Sequence, residues 1–241
     1  MPPIYLTYAL PVVLGLVVLF AFPLTKDMAR TSDRQRYWTV QAVTFMGAIV
    51  GAKVSAVMGD TGWPLRESGL SWQEVLSSGR SITGGLLGGW LGGEVAKPLF
   101  GYRLPPNDRF AAVLPFSLAI GRLGCHLTGC CLGRPWHGPL AVRFADGVPR
   151  WPVQLMEVGF HLVAGVTLVS LVRRGVLRFR LFSLYLAVYG AWRFGMEFIR
   201  ATPRYLGPLS VYQGFALAMV LLGAGLTAWR TVHPPHAEGL R

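Results

Sequence analysis

About seven stretches of roughly 20 consecutive, mostly apolar residues recur along this 241-residue chain, near 4–24, 38–58, 81–99, 109–131, 152–172, 180–199 and 209–230. A hydrocarbon core about 30 Å thick takes roughly 20 helical residues to cross. Lipid-facing backbone must also satisfy its own hydrogen bonds, so each stretch is predicted as a transmembrane helix. The third and fourth are the least uniform: one carries Glu94 and Lys97 near its end, the other Arg122 and His126. With 52% hydrophobic and 14% charged residues and a mean hydropathy of +0.44, the chain falls outside the range of ordinary soluble domains. The first stretch has no basic run before it and no small-residue cleavage site after it, which predicts a retained helix and not a signal peptide. The expected fold is an all-α integral membrane protein with about seven transmembrane helices. Residues 1–230 form a single polytopic membrane domain, and 231–241 form a short disordered tail.

A net charge of +12 invites a nucleic-acid reading, but the Lys and Arg are scattered through short segments between apolar runs, which is the pattern of loops facing anionic lipid. No nucleic-acid partner is expected. Thirteen basic residues lie in the odd-numbered loops and the tail, among them Lys26, Arg30, Arg103 and Arg241; seven lie in the alternate segments, among them Arg66, Arg80, Arg134 and Arg204. Basic loops stay cytoplasmic, so the N-terminus is predicted outside and the C-terminus in the cytoplasm. That orientation sends Lys53, Arg122, His126, Gln154, Glu157, Arg193, Glu197 and Arg200 toward the outer leaflet.

A charged side chain at mid-bilayer costs roughly 2.5–3.5 kcal/mol, so charges on several helices must pair or line a cavity. Arg193 and Glu197 are four apart and Arg200 follows three later, a spacing that predicts one plus, minus, plus column, with Tyr189 one turn back on the same face. Glu197 can neutralise one arginine and Glu157 another, which leaves the set net positive. Guanidinium groups bind phosphate through paired hydrogen bonds, so a phospholipid head group is the expected ligand.

Gly84, Gly88 and Gly92 form one small-residue ladder and Gly85, Gly89 and Gly93 a second, a pattern for close helix packing. The run from Gly121 to Pro135 is dense in glycine and predicts a helix that breaks near the outer surface beside a cavity. It contains Cys125, Cys130 and Cys131, the chain's three cysteines. Their spacing is not the paired pattern of a structural zinc site, and neither metal nor cofactor is expected. A Cys125–Cys130 disulfide, a catalytic thiol with a lowered pKa, and ordinary packing of small residues all remain open.

Within the same run Gly121, Arg122, Gly124, Gly129, Gly133 and Arg134 stand in register with a family signature. Three further blocks follow in order: Pro152, Gln154, Leu155 and Glu157; Tyr189, Gly190, Arg193, Phe194, Glu197, Phe198 and Arg200; and Gly207, Leu209, Ser210 and Gln213. In these blocks the chain resembles the bacterial prolipoprotein diacylglyceryl transferases. The resemblance implies a multi-pass protein of the bacterial plasma (inner) membrane, its active site toward the outer leaflet. The implied reaction moves the diacylglyceryl group of phosphatidylglycerol to the thiol of a lipobox cysteine in an exported precursor. Arg122, Arg193, Tyr189, Glu197 and His126 are the implied catalytic set. Arg200, Gln154, Glu157, Gly124, Arg134, Thr83, Gly84, Cys125 and Cys130 are the implied substrate-binding set.

The chain departs from the family pattern at the histidine before a Gly-Gly pair, which falls at Thr83, at two asparagines, which fall at Cys125 and Thr128, and at a glutamate, which falls at Cys130. Threonine cannot act as the general base that histidine is, and His126 or Glu157 could take that role. Two alternatives keep the lipid but change the outcome: transfer of a phospholipid-derived group to a different acceptor, by way of Cys125 or Cys130, or lipid binding without catalysis.

Overall fold

A computed structural model describes residues 13–15, 17, 31–61, 81–102 and 108–234. Most of the stretch near 4–24 lies outside the described residues, as do residues 235–241 and the loop cations Lys26, Arg30, Arg66, Arg80, Arg103 and Arg241. The other six apolar stretches are helical: α1 (Thr31–Thr61), α2 (Ile82–Leu99), α3 (Asp108–Leu127), α4 (Val153–Arg174), α5 (Leu181–Met196) and α6 (Val211–Val232). Four are long and apolar enough to cross a membrane, over Arg34–Asp60, Asp108–Leu127, Val153–Arg174 and Val211–Val232.

Burial is inverted relative to a soluble protein. Ile49, Val50, Leu91, Val163, Val166 and Leu221 are exposed, whereas Gln154, Glu157, His161, Arg193, Glu197 and Gln213 are buried. Apolar side chains outside and hydrogen-bonded polar groups inside are what a lipid solvent selects.

The chain forms two compact units. Among the described residues, the first takes in 13–15, 17, 108–185 and 198–201, and the second 31–61, 81–102, 186–197 and 202–234.

In the second unit, α1 packs on α2 through glycine. A Cβ added at Gly88 would sit 2.9 Å from the Gly51 Cα, and one at Gly51 would sit 2.8 Å from the Gly88 Cα. The companion ladder meets mainly side chains: a Cβ at Gly85 meets nothing nearer than 3.5 Å, one at Gly89 the Ala48 Cβ at 3.3 Å, and one at Gly93 the Thr44 hydroxyl at 2.9 Å. The first ladder is therefore the backbone contact that lipid-embedded helices need in the absence of a hydrophobic drive. Ser210 caps α6 by accepting the Gln213 backbone N–H at 3.2 Å, while the Gln213 side chain accepts the Ser210 N–H at 2.9 Å.

In the first unit α3 packs on α4 and ends at Leu127, short of the expected 131. The Thr128 hydroxyl donates to the Gly124 carbonyl at 2.9 Å, Gly129 turns left-handed at φ +66°, and the Cys130 N–H reaches back to the Cys125 carbonyl at 3.0 Å. Those bonds satisfy the last carbonyls of the helix and stop it. The chain then runs through a small hairpin, β1 (Val142–Arg143) against β2 (Pro149–Arg150), into α4. Arg150 grips Asp146 at 2.7 Å across the hairpin turn and holds its carboxyl below the usual carboxylate range.

Candidate active site

The sequence-predicted residues fall into two sets, one in each unit. In the first unit Arg122 lies near the end of α3 and Glu157 near the start of α4, and their side chains form an ion pair with exposures of only 6% and 0%. One turn before Glu157, the Gln154 amide donates to the Cys130 carbonyl at 2.6 Å and ties the irregular run to α4. Its own Oε1 is buried without a hydrogen-bond partner among the described residues. Arg122 Nη1 lies 4.0 Å from Cys125 Sγ. Gly124 is buried beside Arg122 and lends its carbonyl to Thr128.

All three cysteines are free thiols, and their sulfur atoms lie within 4.8 Å of one another. Cys131 adopts a left-handed backbone at φ +58°. Hydrogen bonds from the Cys125 and Cys130 thiols, with smaller help from the charges of Arg122 and Arg200, hold the Cys131 thiol well below its ordinary range. His126 packs edge-on against Phe144 at 5.8 Å, with its Nδ1 buried and unbonded among the described residues.

The expected column of Arg193, Glu197 and Arg200 is broken. Helix α5 stops at Met196, a 3-10 turn covers Glu197–Ile199, and Arg200 enters an antiparallel bridge with Gly133. The bridge is fixed by Arg134 N–H to the Ile199 carbonyl at 2.8 Å and Ala201 N–H to the Leu132 carbonyl at 3.1 Å, and backbone pairing there replaces another helical turn. Arg134 itself is exposed and donates its Nε to the Arg200 carbonyl at 3.2 Å. Arg200 is buried, so the first set holds two buried arginines to one buried glutamate.

In the second unit Arg193 Nη2 pairs with Glu197 at 2.9 Å, both buried, and Thr202 donates its hydroxyl to the same carboxylate. Arg193 lies 6.0 Å from the centre of the Tyr212 ring. Tyr212 in turn donates to Asp60 at 2.7 Å. Arg204 donates to the Glu197 carbonyl and to Gln213 Oε1, both at 3.3 Å. Tyr189 is fully buried one turn before Arg193. Thr83 and Gly84 open α2; the Thr83 hydroxyl shares a 2.7 Å hydrogen bond with Ser81, and Gly84 meets α1 at Gly51 and Ser55.

Asp60, Thr202, Arg204 and Tyr212 were absent from the predicted set. Asp60 offered a signal, as an acidic residue closing an apolar span. Arg204 reads as an ordinary loop cation, because its partners are brought to it only by the fold.

Each unit therefore offers a buried arginine–glutamate pair, the first with a thiol cluster beside it, and guanidinium groups held in this way are suited to binding phosphate and stabilising charge that develops on it. Residues 3–229 match the family model described as "Prolipoprotein diacylglyceryl transferase". A phosphatidylglycerol–prolipoprotein diacylglyceryl transferase of Bordetella bronchiseptica is 30% identical over 92% of this chain and 91% of its own length. One from Vibrio parahaemolyticus is 29% identical over 89% and 85%, and an enzyme 2 of that name from Clostridium perfringens is 25% identical over 90% and 87%. With a family match over nearly its whole length, this multi-pass chain belongs to the prolipoprotein diacylglyceryl transferase family.

Proposed function

We propose that this chain is a transferase that moves the diacylglyceryl group of phosphatidylglycerol onto the thiol of a lipobox cysteine in an exported prolipoprotein. The carrying observation is that relatives bearing this activity in their names align over about nine tenths of the chain. In the reaction the acceptor thiol gives up its proton, its sulfur bonds to the glyceryl carbon, the carbon–oxygen bond to phosphate breaks, and glycerol phosphate leaves. Negative charge on the departing phosphate is stabilised by preorganised guanidinium groups, for which Arg122 and Arg193 are proposed. Glu197 holds Arg193, with Tyr189 buried one turn before it, and Glu157 holds Arg122. Gln154, Gly124, Arg134, Arg200, Cys125 and Cys130 in the first unit, and Thr83 and Gly84 in the second, are the proposed substrate-binding residues.

Thr83 supplies no base, and its hydroxyl is engaged by Ser81. His126, with one ring nitrogen buried and unbonded among the described residues, is the proposed proton acceptor. The seven-span architecture, an outside N-terminus and cytoplasmic C-terminus, residues 1–230 as one membrane domain with 231–241 as its tail, and a plasma-membrane location with the site toward the outer leaflet belong to the same proposal. No nucleic acid takes part.

The test supplies purified protein with phosphatidylglycerol labelled in its acyl chains and a lipobox peptide. Label should appear on the peptide thiol, and Arg122→Ala or Arg193→Ala should abolish it while the protein still inserts into membranes. Lipid turnover without peptide labelling would move the reading to a different acceptor, which the replacement of the family's asparagine and glutamate by Cys125 and Cys130 favours. Absence of any turnover would leave lipid binding alone.

A further inference from the structure

The spacing of Cys125, Cys130 and Cys131 carries no metal pattern, yet the fold gathers their sulfurs into one cluster. The three Sγ atoms lie within 4.8 Å of one another, one buried and two half-buried. A metal with three thiolate ligands at about 2.3 Å in a plane sets them about 4.0 Å apart, so closure takes shifts of less than about 1 Å.

The run that carries them is built, not loose. Gly129 at φ +66° ends α3 so that Cys130 folds back toward Cys125. Gln154 clamps the Cys130 carbonyl at 2.6 Å, and the Thr128 hydroxyl lies 3.6 Å from Cys130 Sγ. Cys131 is held in a left-handed backbone that a residue with a Cβ seldom adopts, and this turns its side chain back to the other two thiols. Arg122 Nη1, 4.0 Å from Cys125 Sγ, places positive charge beside a cluster that becomes anionic on losing its protons.

Among the described residues the donor group is sulfur alone, with no imidazole or carboxylate in it. Soft thiolates without harder donors select soft ions, and three of them leave no fourth protein ligand for the tetrahedral sites zinc prefers. We propose that Cys125, Cys130 and Cys131 form a three-coordinate binding site for a soft monovalent cation, Cu(I). Binding exchanges up to three thiol protons for the ion, leaves its oxidation state unchanged, and requires nothing of the transfer reaction.

The experiment uses the full chain in detergent micelles, reduced and kept anaerobic, and titrated with Cu(I) held by a chromogenic chelator. One equivalent should pass from chelator to protein, and zinc should compete poorly. Since partners behind a metal ligand are alone worth 10–100-fold in affinity, Cys125→Ser, Cys130→Ser and Cys131→Ser should each weaken binding by at least about tenfold. A second measurement needs no variants: Cys130 and Cys131 should react with iodoacetamide in the metal-free protein and be protected together by one equivalent of Cu(I). Copper that stays with the chelator, binding that survives all three substitutions, or thiols that alkylate equally with and without copper would each overturn the assignment.

Discussion

Replacing Glu157 by alanine should destabilise the protein more than replacing Glu157 and Arg122 together. The two side chains are paired with 0% and 6% exposure, so the single substitution leaves a guanidinium buried beside hydrocarbon without its carboxylate. Removing one partner of a buried pair costs about 3–5 kcal/mol, whereas exchanging both for apolar residues is often neutral or stabilising. For a chain of this size each kcal/mol moves the melting midpoint by about 2–4 °C, so Glu157→Ala should lower Tm by roughly 6–20 °C. The Arg122→Leu, Glu157→Leu double variant should recover most of that loss. Glu157→Gln should fall between, because an amide still accepts a hydrogen bond but carries no charge. The measurement is thermal unfolding in detergent followed by far-ultraviolet circular dichroism. If the double variant melts as low as the single one, or Glu157→Ala melts within about 2 °C of the unmodified chain, Arg122 does not depend on that carboxylate and the buried-pair argument fails.

Glycine positions should divide by the space around them. Gly88→Val forces a branched side chain onto the Gly51 backbone and should cost about 1–3 kcal/mol or more by the same unfolding assay. Gly121→Ala meets nothing within 4 Å inside α3 and should gain about 0.5–1 kcal/mol. Ser210→Ala removes the N-cap of α6 and should cost about 1 kcal/mol in the same melt.

Helix positions were legible because apolar length is a local property: α2, α4 and α6 begin or end within a few residues of the expected stretches. That Glu197 and Glu157 would each neutralise an arginine was legible too, since a lipid-embedded charge must find its opposite and few carboxylates were on offer, but that Glu157 takes Arg122 is visible only in the fold. Arg200 was not. Its spacing fits the column with Arg193 and Glu197, but spacing cannot show that Gly133, 67 residues upstream, pairs with its backbone and ends the helix. The thiol cluster was hidden for the same reason. Cys125 and Cys130 are a poor ligand spacing on a continuous helix, and become neighbours only because Thr128 and Gly129 stop α3 between them.

The motif blocks can be sorted by what the fold alone demands of them. Gly133 has no room for a side chain, since an added Cβ would sit 2.8 Å from the Trp151 Cβ, and Gly190 is closed off at 2.8 Å by the Ala216 carbonyl. Gly207 turns left-handed at φ +62°, and Ser210 with Gln213 closes the capping box of α6. Each is sufficiently explained by packing or backbone geometry. Arg122 with Glu157 and Arg193 with Glu197 are not explained in that way, because in each unit an apolar pair of similar volume would fill the interior without the desolvation cost of two ions. The retention of two buried ion pairs where hydrocarbon would serve is the observation behind the proposal that these guanidinium groups hold a phosphorylated lipid.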